Sequence, residues 1–126
     1  AATGERATNF SIRGCTTINC GDTRPGTGGA ILVRNVDGLQ LTTNKMYNSL
    51  RAGISLQESD AAGSCINVSG FGNVVDGVTA HSGICRGVDM SANTRGLLVA
   101  NDVFDLATGT ERYYQDPAAL NPVTVI

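Results

Sequence analysis

Tryptophan is absent from the 126 residues, which hold one lysine (Lys45), one histidine (His81), three tyrosines and three phenylalanines. A core built from this chain therefore rests on small and β-branched side chains. Charged residues make up 16% of the chain, below the roughly 25% of ordinary globular proteins, and the formal net charge is -2. The eight arginines are scattered, so the clustered cation surplus that phosphate backbones require is missing, and no nucleic-acid partner is expected. No apolar run approaches the roughly 18 residues of a membrane span, so no membrane insertion is expected. The start AATGERATNF has neither a basic n-region nor an apolar h-region, so no signal peptide is visible.

Other absences narrow the chemistry. Cys15, Cys20, Cys65 and Cys85 contain no C-x2-C pair, and His81 has no spaced partner, which disfavours a metal centre. Buried free thiols are the leading reading of these cysteines, ahead of a disulfide. G-x-S-x-G does not occur, and Pro25-Gly-Thr-Gly-Gly29 is not followed by a helical pattern, so neither a nucleophile elbow nor a phosphate cradle is supported. No cofactor is expected.

What the chain does have is 16 Gly, 13 Thr and 10 Asn beside a normal 41% of hydrophobic residues. This is a turn-rich, all-β composition, and the hydrophobic content argues against disorder. An internal repeat organises it. Residues 29–48 (GAILVRNVDGLQLTTNKMYN) and 87–105 (GVDMSANTRGLLVANDVFD) share Gly29/Gly87, Asn35/Asn93, Gly38/Gly96 and Leu39/Leu97. After a one-residue deletion, Asn44 matches Asn101, Met46 matches Val103 and Tyr47 matches Phe104. A looser copy lies between them, from Gly53 and again from Asn73 to Ala80, and a partial one covers Asn9 to Gly14.

Within each copy the apolar residues alternate, which is the period of a strand. Counted from the glycines, Ile54/Leu56, Val88/Met90, Leu39/Leu41, Val78/Ala80 and Leu97/Val99 face inward. The same count puts Ile31, Val33 and Leu98 on the outside, where adjacent apolar residues imply a covering loop or a subunit contact. Tyr47 and Phe104 recur in register, which argues for packing. Gly and Asn at the corners suit the positive φ of sharp turns.

The pattern GxxxxxNxxGLxLxxN, in rungs of about twenty residues over residues 9–105, resembles the right-handed parallel β-helix repeat of the pectin-lyase-like superfamily. The Thr/Asn/Gly-rich, Lys-poor texture is more similar to a bacteriophage tailspike than to a plant-cell-wall lyase. The resemblance implies an all-β, right-handed parallel β-helix of about four rungs over residues 1–105. Residues 106–126 are then a C-terminal cap or exchange segment. It further implies a homotrimer, a virion-tail or extracellular location, and a cell-surface polysaccharide as partner. Four rungs with open ends make a short stack, so a fragment or subdomain of a longer protein is expected.

Enzymes of the resembled families cleave polysaccharides, and hydrolases among them need two carboxylates at a set separation. Two groups of acids present themselves. Asp37 (VDGL), Asp76 (VDGV) and Arg95 (TRGL) precede matched glycines and are expected to stack in consecutive rungs, although Asp-Gly is also a common turn pair. Glu58, Asp60 and Asp89 form the second group, with Asp89 outward and directly below Ser55. Tyr113 and Tyr114, beside Arg112, are candidates for stacking on sugar faces or for capping the last rung. Three functions follow: polysaccharide recognition, polysaccharide cleavage as a glycosidase or lyase, or a structural trimeric stalk without a site.

Overall fold

The structure, a computed structural model, describes residues 6–21, 28–58, 64–107 and 111–126. All regular structure among them is β. The first rung holds β1 (Ala7–Arg13), β2 (Thr16–Ile18) and β3 (Ile31–Arg34). The second holds β4 (Val36–Thr42), β5 (Lys45–Leu50) and β6 (Ala52–Gln57), and the third β7 (Val68–Phe71), β8 (Val74–Thr79) and β9 (Arg86–Met90). The fourth holds β10 (Gly96–Val99), β11 (Asp102–Leu106) and β12 (Tyr113–Gln115), and β13 (Thr124–Val125) begins a fifth. Each strand pairs in parallel with the strand three later, giving three sheets: β1-β4-β7-β10-β13, β2-β5-β8-β11 and β3-β6-β9-β12. The chain is thus a parallel β-solenoid of about four turns.

Stacked registers turn the alternating pattern into columns. Leu39 and Val68, Leu41 and Leu98, Met46, Val75 and Val103, Ile54 and Val88, and Leu56 and Met90 fill the interior. Small residues are required where sheets meet closely. A Cβ on Gly53 would lie 2.6 Å from Val75, and one on Gly87 would strike Val103.

Two expected phases are reversed. Ile31 pairs with Ile54 and Val33 with Leu56, so both point inward and are buried. Leu98 is also buried, while Leu97 and Val99 are only half-buried. The cause is a one-residue offset in the matched glycines. Ala30, rather than Gly29, stands beside Gly53. Gly96 stacks on Val68, one position beyond the column of Gly38. Because side chains alternate, a slip of one residue inverts the whole strand.

The corners repeat as strictly as the core. Gly14, Thr43, Gly72 and Ala100 occupy one column at the end of the first sheet, and Asn19, Asn48, Gly77 and Asp105 another in the second. All eight have φ between 52° and 87°, in the left-handed region that Gly and Asn tolerate best. Just past the first column, Asn44, Asn73 and Asn101 stack side chain on side chain. The Oδ1 of Asn44 accepts the Cys15 N–H (3.0 Å), and that of Asn73 accepts the Asn44 N–H (3.1 Å). The Oδ1 of Asn101 accepts the Asn73 N–H (2.8 Å).

The two ends differ. At the C-terminal end Tyr113 and Gln115 point into the core. The Tyr113 hydroxyl donates to the Asn101 carbonyl (3.1 Å), and Gln115 Nε2 donates to the carbonyls of Ser91 and Thr94 (3.1 and 2.8 Å). The segment after residue 105 therefore lays β12 on β9 and β13 on β10. At the other end Phe10, in register with buried Leu39, stays 49% exposed above the open core. Cys65 and Cys85 are buried free thiols, Cys15 and Cys20 exposed ones, and burial pushes the Cys65 thiol up. Among the described residues no helix is long and apolar enough to cross a membrane.

Candidate functional site

The third sheet, β3-β6-β9-β12, carries the one outward column in which a carboxylate is buried. Ser55, Asp89 and Tyr114 lie side by side in consecutive rungs, as the alternation around Asp89 predicts. Asp89 and Ser55 are nonetheless inaccessible, at 3% and 0% exposure. Two arginines account for this. Arg51, at the left-handed corner between β5 and β6, places Nη1 2.8 Å from Asp89 Oδ2 and also donates to the Gly28 carbonyl (3.0 Å). Arg86, at the start of β9, places Nη1 3.2 Å from Asp89 Oδ1. Its Nε pairs with Glu111 (2.8 Å), and its guanidinium lies over the Tyr114 ring, 3.5 Å from the centroid.

Above this pair of ion pairs opens a cleft of about 260 Å³, whose polar groups include Gln57, Glu58, Ser91, Tyr114 and Asp116. Gln57 Nε2 donates to the Ser55 hydroxyl (3.0 Å), and Asn93 Nδ2 donates to Glu58 (3.1 Å). The Asp116 carboxylate accepts the Ala118 N–H (2.9 Å). Both guanidiniums are thus committed to carboxylates, whereas Glu58 and Asp116 meet only neutral donors. The floor is held by charge pairs and the rim offers hydrogen-bonding groups.

Three of the sequence candidates, Glu58, Asp89 and Tyr114, converge here. Asp60 lies outside the described residues. Tyr113, next to Tyr114, points the opposite way and closes the core. The expected column of Asp37, Asp76 and Arg95 does not form. Asp37 is in the first sheet, where Asn67 Nδ2 donates to it (2.7 Å), and Asp76 is in the second, between Tyr47 and Phe104. Arg95 is exposed at the entry to β10, its backbone bonded to Cys65 and Val68. Sequence reasoning missed Arg51 and Arg86. Both precede a small-residue strand start, in Arg-Ala-Gly and Arg-Gly, and that shared context was the available signal.

Asp76 has a different partner, Asp105, one rung on. Partial desolvation and the hydrogen bond and like charge of Asp105 hold its carboxyl above the ordinary value. A folded-state value above the unfolded one means that folding favours the proton. This contribution is fully present below the unfolded value and lost as pH rises through the folded one. Asp105→Asn removes the like charge, so the denaturation midpoint should rise near neutral pH and change little in acid. An equal shift at both pH values would show that the two carboxyls do not interact.

The chain matches no family model, no curated protein and no solved structure. The likeness to parallel β-helix proteins is accordingly one of architecture.

Proposed function

We propose that this chain is a β-solenoid module that recognises a cell-surface polysaccharide through the cleft on β6, β9 and β12, in the manner of a tailspike-type attachment module. The observation that carries the reading is the pairing of a preorganised floor with a rim of unsaturated hydrogen-bonding groups. Sugars present hydroxyls that both donate and accept, and Gln57, Glu58, Ser91 and Asp116 supply complements of both kinds. Arg51, Asp89 and Arg86 hold one another, so little side-chain entropy is lost when a ligand docks.

Recognition is favoured over cleavage by the placement of the acids. A retaining hydrolase needs carboxyls about 5 Å apart and an inverting one about 6.5–9.5 Å, with a sugar between them. Asp37 and Asp76 are on different sheets, and Asp76 is hydrogen-bonded to Asp105, which leaves no room for a sugar. Both oxygens of Asp89 are taken by guanidiniums, so neither is available to attack or protonate a glycosidic bond. The virion location and the homotrimer belong to the tailspike resemblance and are not needed for this reading.

Calorimetric titration of the protein with a panel of bacterial surface oligosaccharides tests it. At least one should bind, and Gln57→Ala and Tyr114→Ala should each weaken it by roughly tenfold, the worth of a hydrogen bond or aromatic contact. Absence of binding across the panel sinks the proposal. New reducing ends in the same mixtures would replace it with an enzyme.

A further inference from the structure

The second sheet, β2-β5-β8-β11, presents an outer face unlike the other two. Ile18, Tyr47, Asp76 and Phe104 follow one another down one outward column, and Lys45, Val74 and Asp102 down the next. Ile18 is 63% exposed and Phe104 41%, while Tyr47 and Val74 are half-buried. Their inward neighbours Met46, Val75 and Val103 are buried, so strand alternation fixes these residues on the outside. Apolar side chains in successive rungs of one flat face are the usual mark of a covered surface.

The charges on this face indicate what covers it. Lys45, the only lysine, lies in the second rung, whereas Asp76, Asp102 and Asp105 lie in the third and fourth. The gradient runs through the chain: residues 1–34 carry four arginines against Glu5 and Asp22, and residues 96–126 carry four acids against Arg112. A face that is positive at one end, negative at the other and apolar between complements a copy of itself turned end for end. A two-fold axis along the strand direction does this. It brings the Lys45 half of one copy over the Asp102 half of the other and stacks the Tyr47 column on its own reversed image. Such a contact is isologous and closes at two subunits.

We infer that the outer face of β2-β5-β8-β11 is a two-fold interface between copies of this chain, reversed along the solenoid axis, with Lys45 opposite Asp102 of the second copy. The cleft on the third sheet stays open in this arrangement. End-to-end stacking does not offer the same fit. β13 has already begun a fifth rung in the first sheet, while the other two sheets stop at the fourth, so no level edge is presented.

Sedimentation and light scattering of the 126-residue chain over a concentration series provide the test. The expected mass at high concentration is twice 13.0 kDa. Lys45→Glu and Asp102→Lys should each raise the dissociation constant at least roughly tenfold, because each sets like charges against one another. The double variant Lys45→Glu/Asp102→Lys should recover the parent value, which a merely destabilised fold would not do. Circular dichroism establishes that each variant remains folded. A monomer at every concentration, a trimer, or a dimer indifferent to the charge swap would each overturn the inference.

Discussion

Asp89→Ala is expected to lower the unfolding free energy by about 3–5 kcal/mol, the cost of leaving a buried partner charge uncompensated. The Arg51 and Asp89 side chains are 3% and 4% exposed, and the Arg86 side chain is 16% exposed. Without the carboxylate, Arg51 keeps a carbonyl contact with Gly28 but no named counter-ion, and Arg86 falls back on Glu111 and Tyr114. Against a total stability of some 5–15 kcal/mol this is a large fraction. Asp89→Asn, which retains shape and an acceptor oxygen, should cost less. The double variant Arg51→Met/Asp89→Leu should recover most of the loss, since apolar replacement of a whole buried pair is often near neutral. Urea denaturation followed by circular dichroism reads these differences as midpoint shifts at constant slope. A loss below about 1 kcal/mol for Asp89→Ala would mean that water reaches Arg51, and the rigid floor assumed for saccharide binding would go with it.

The architecture was legible because a solenoid imposes two demands on the sequence at once. Period-two alternation makes the strands, and left-handed corners select Gly or Asn at fixed intervals. Asn44 and Asn101 were matched from sequence alone, with Met46 against Val103 and Tyr47 against Phe104, and the registers bear out all three. The same alternation that buries Met46 and Val103 sends Tyr47 and Phe104 outward, so their recurrence marks a surface column and not core packing. That signal was present, but recurrence was read as burial.

Where the reading failed, one residue type was serving two purposes. Gly38 and Gly77 each follow an aspartate and each adopt a left-handed φ (83° and 87°), yet they sit in different sheets. VDG recurs because the local turn needs it twice per circuit, so matching Asp37 to Asp76 equated two different corners. Gly29 and Gly96 misled in another way, by lying one residue from the columns they were thought to define. The site was half legible. An outward acid beneath Ser55 follows from alternation, but its arginine partners come from a corner and a strand start, which no period marks.

Asn73→Ala is the second substitution with a large expected cost, about 3 kcal/mol, because it strands groups on both neighbouring rungs. Asn73 is 2% exposed. Its Oδ1 accepts from the Asn44 backbone N–H and side-chain Nδ2 (3.1 and 3.0 Å), and its Nδ2 donates to the Leu41 carbonyl and Asn101 Oδ1 (2.9 and 2.8 Å). Alanine leaves the Asn44 N–H and the Leu41 carbonyl in the interior without these partners, at about 1–3 kcal/mol for each unsatisfied group. Asn101→Ala, at the half-exposed end of the column, should cost less, since water can replace part of what is lost. Asn73→Asp keeps the acceptor, loses both donated bonds and buries a charge, so it should be no milder than alanine. Because Asn44 and Asn73 share bonds, Asn44→Ala/Asn73→Ala should cost less than the sum of the single losses. Denaturation midpoints, with hydrogen exchange at the Asn44 amide, distinguish this from simple cavity formation: only a broken column speeds exchange there above the global unfolding rate. Equal costs at Asn73 and Asn101 would mean that the column adds no more in the interior than at its end, and that side-chain packing alone sets the register of the solenoid.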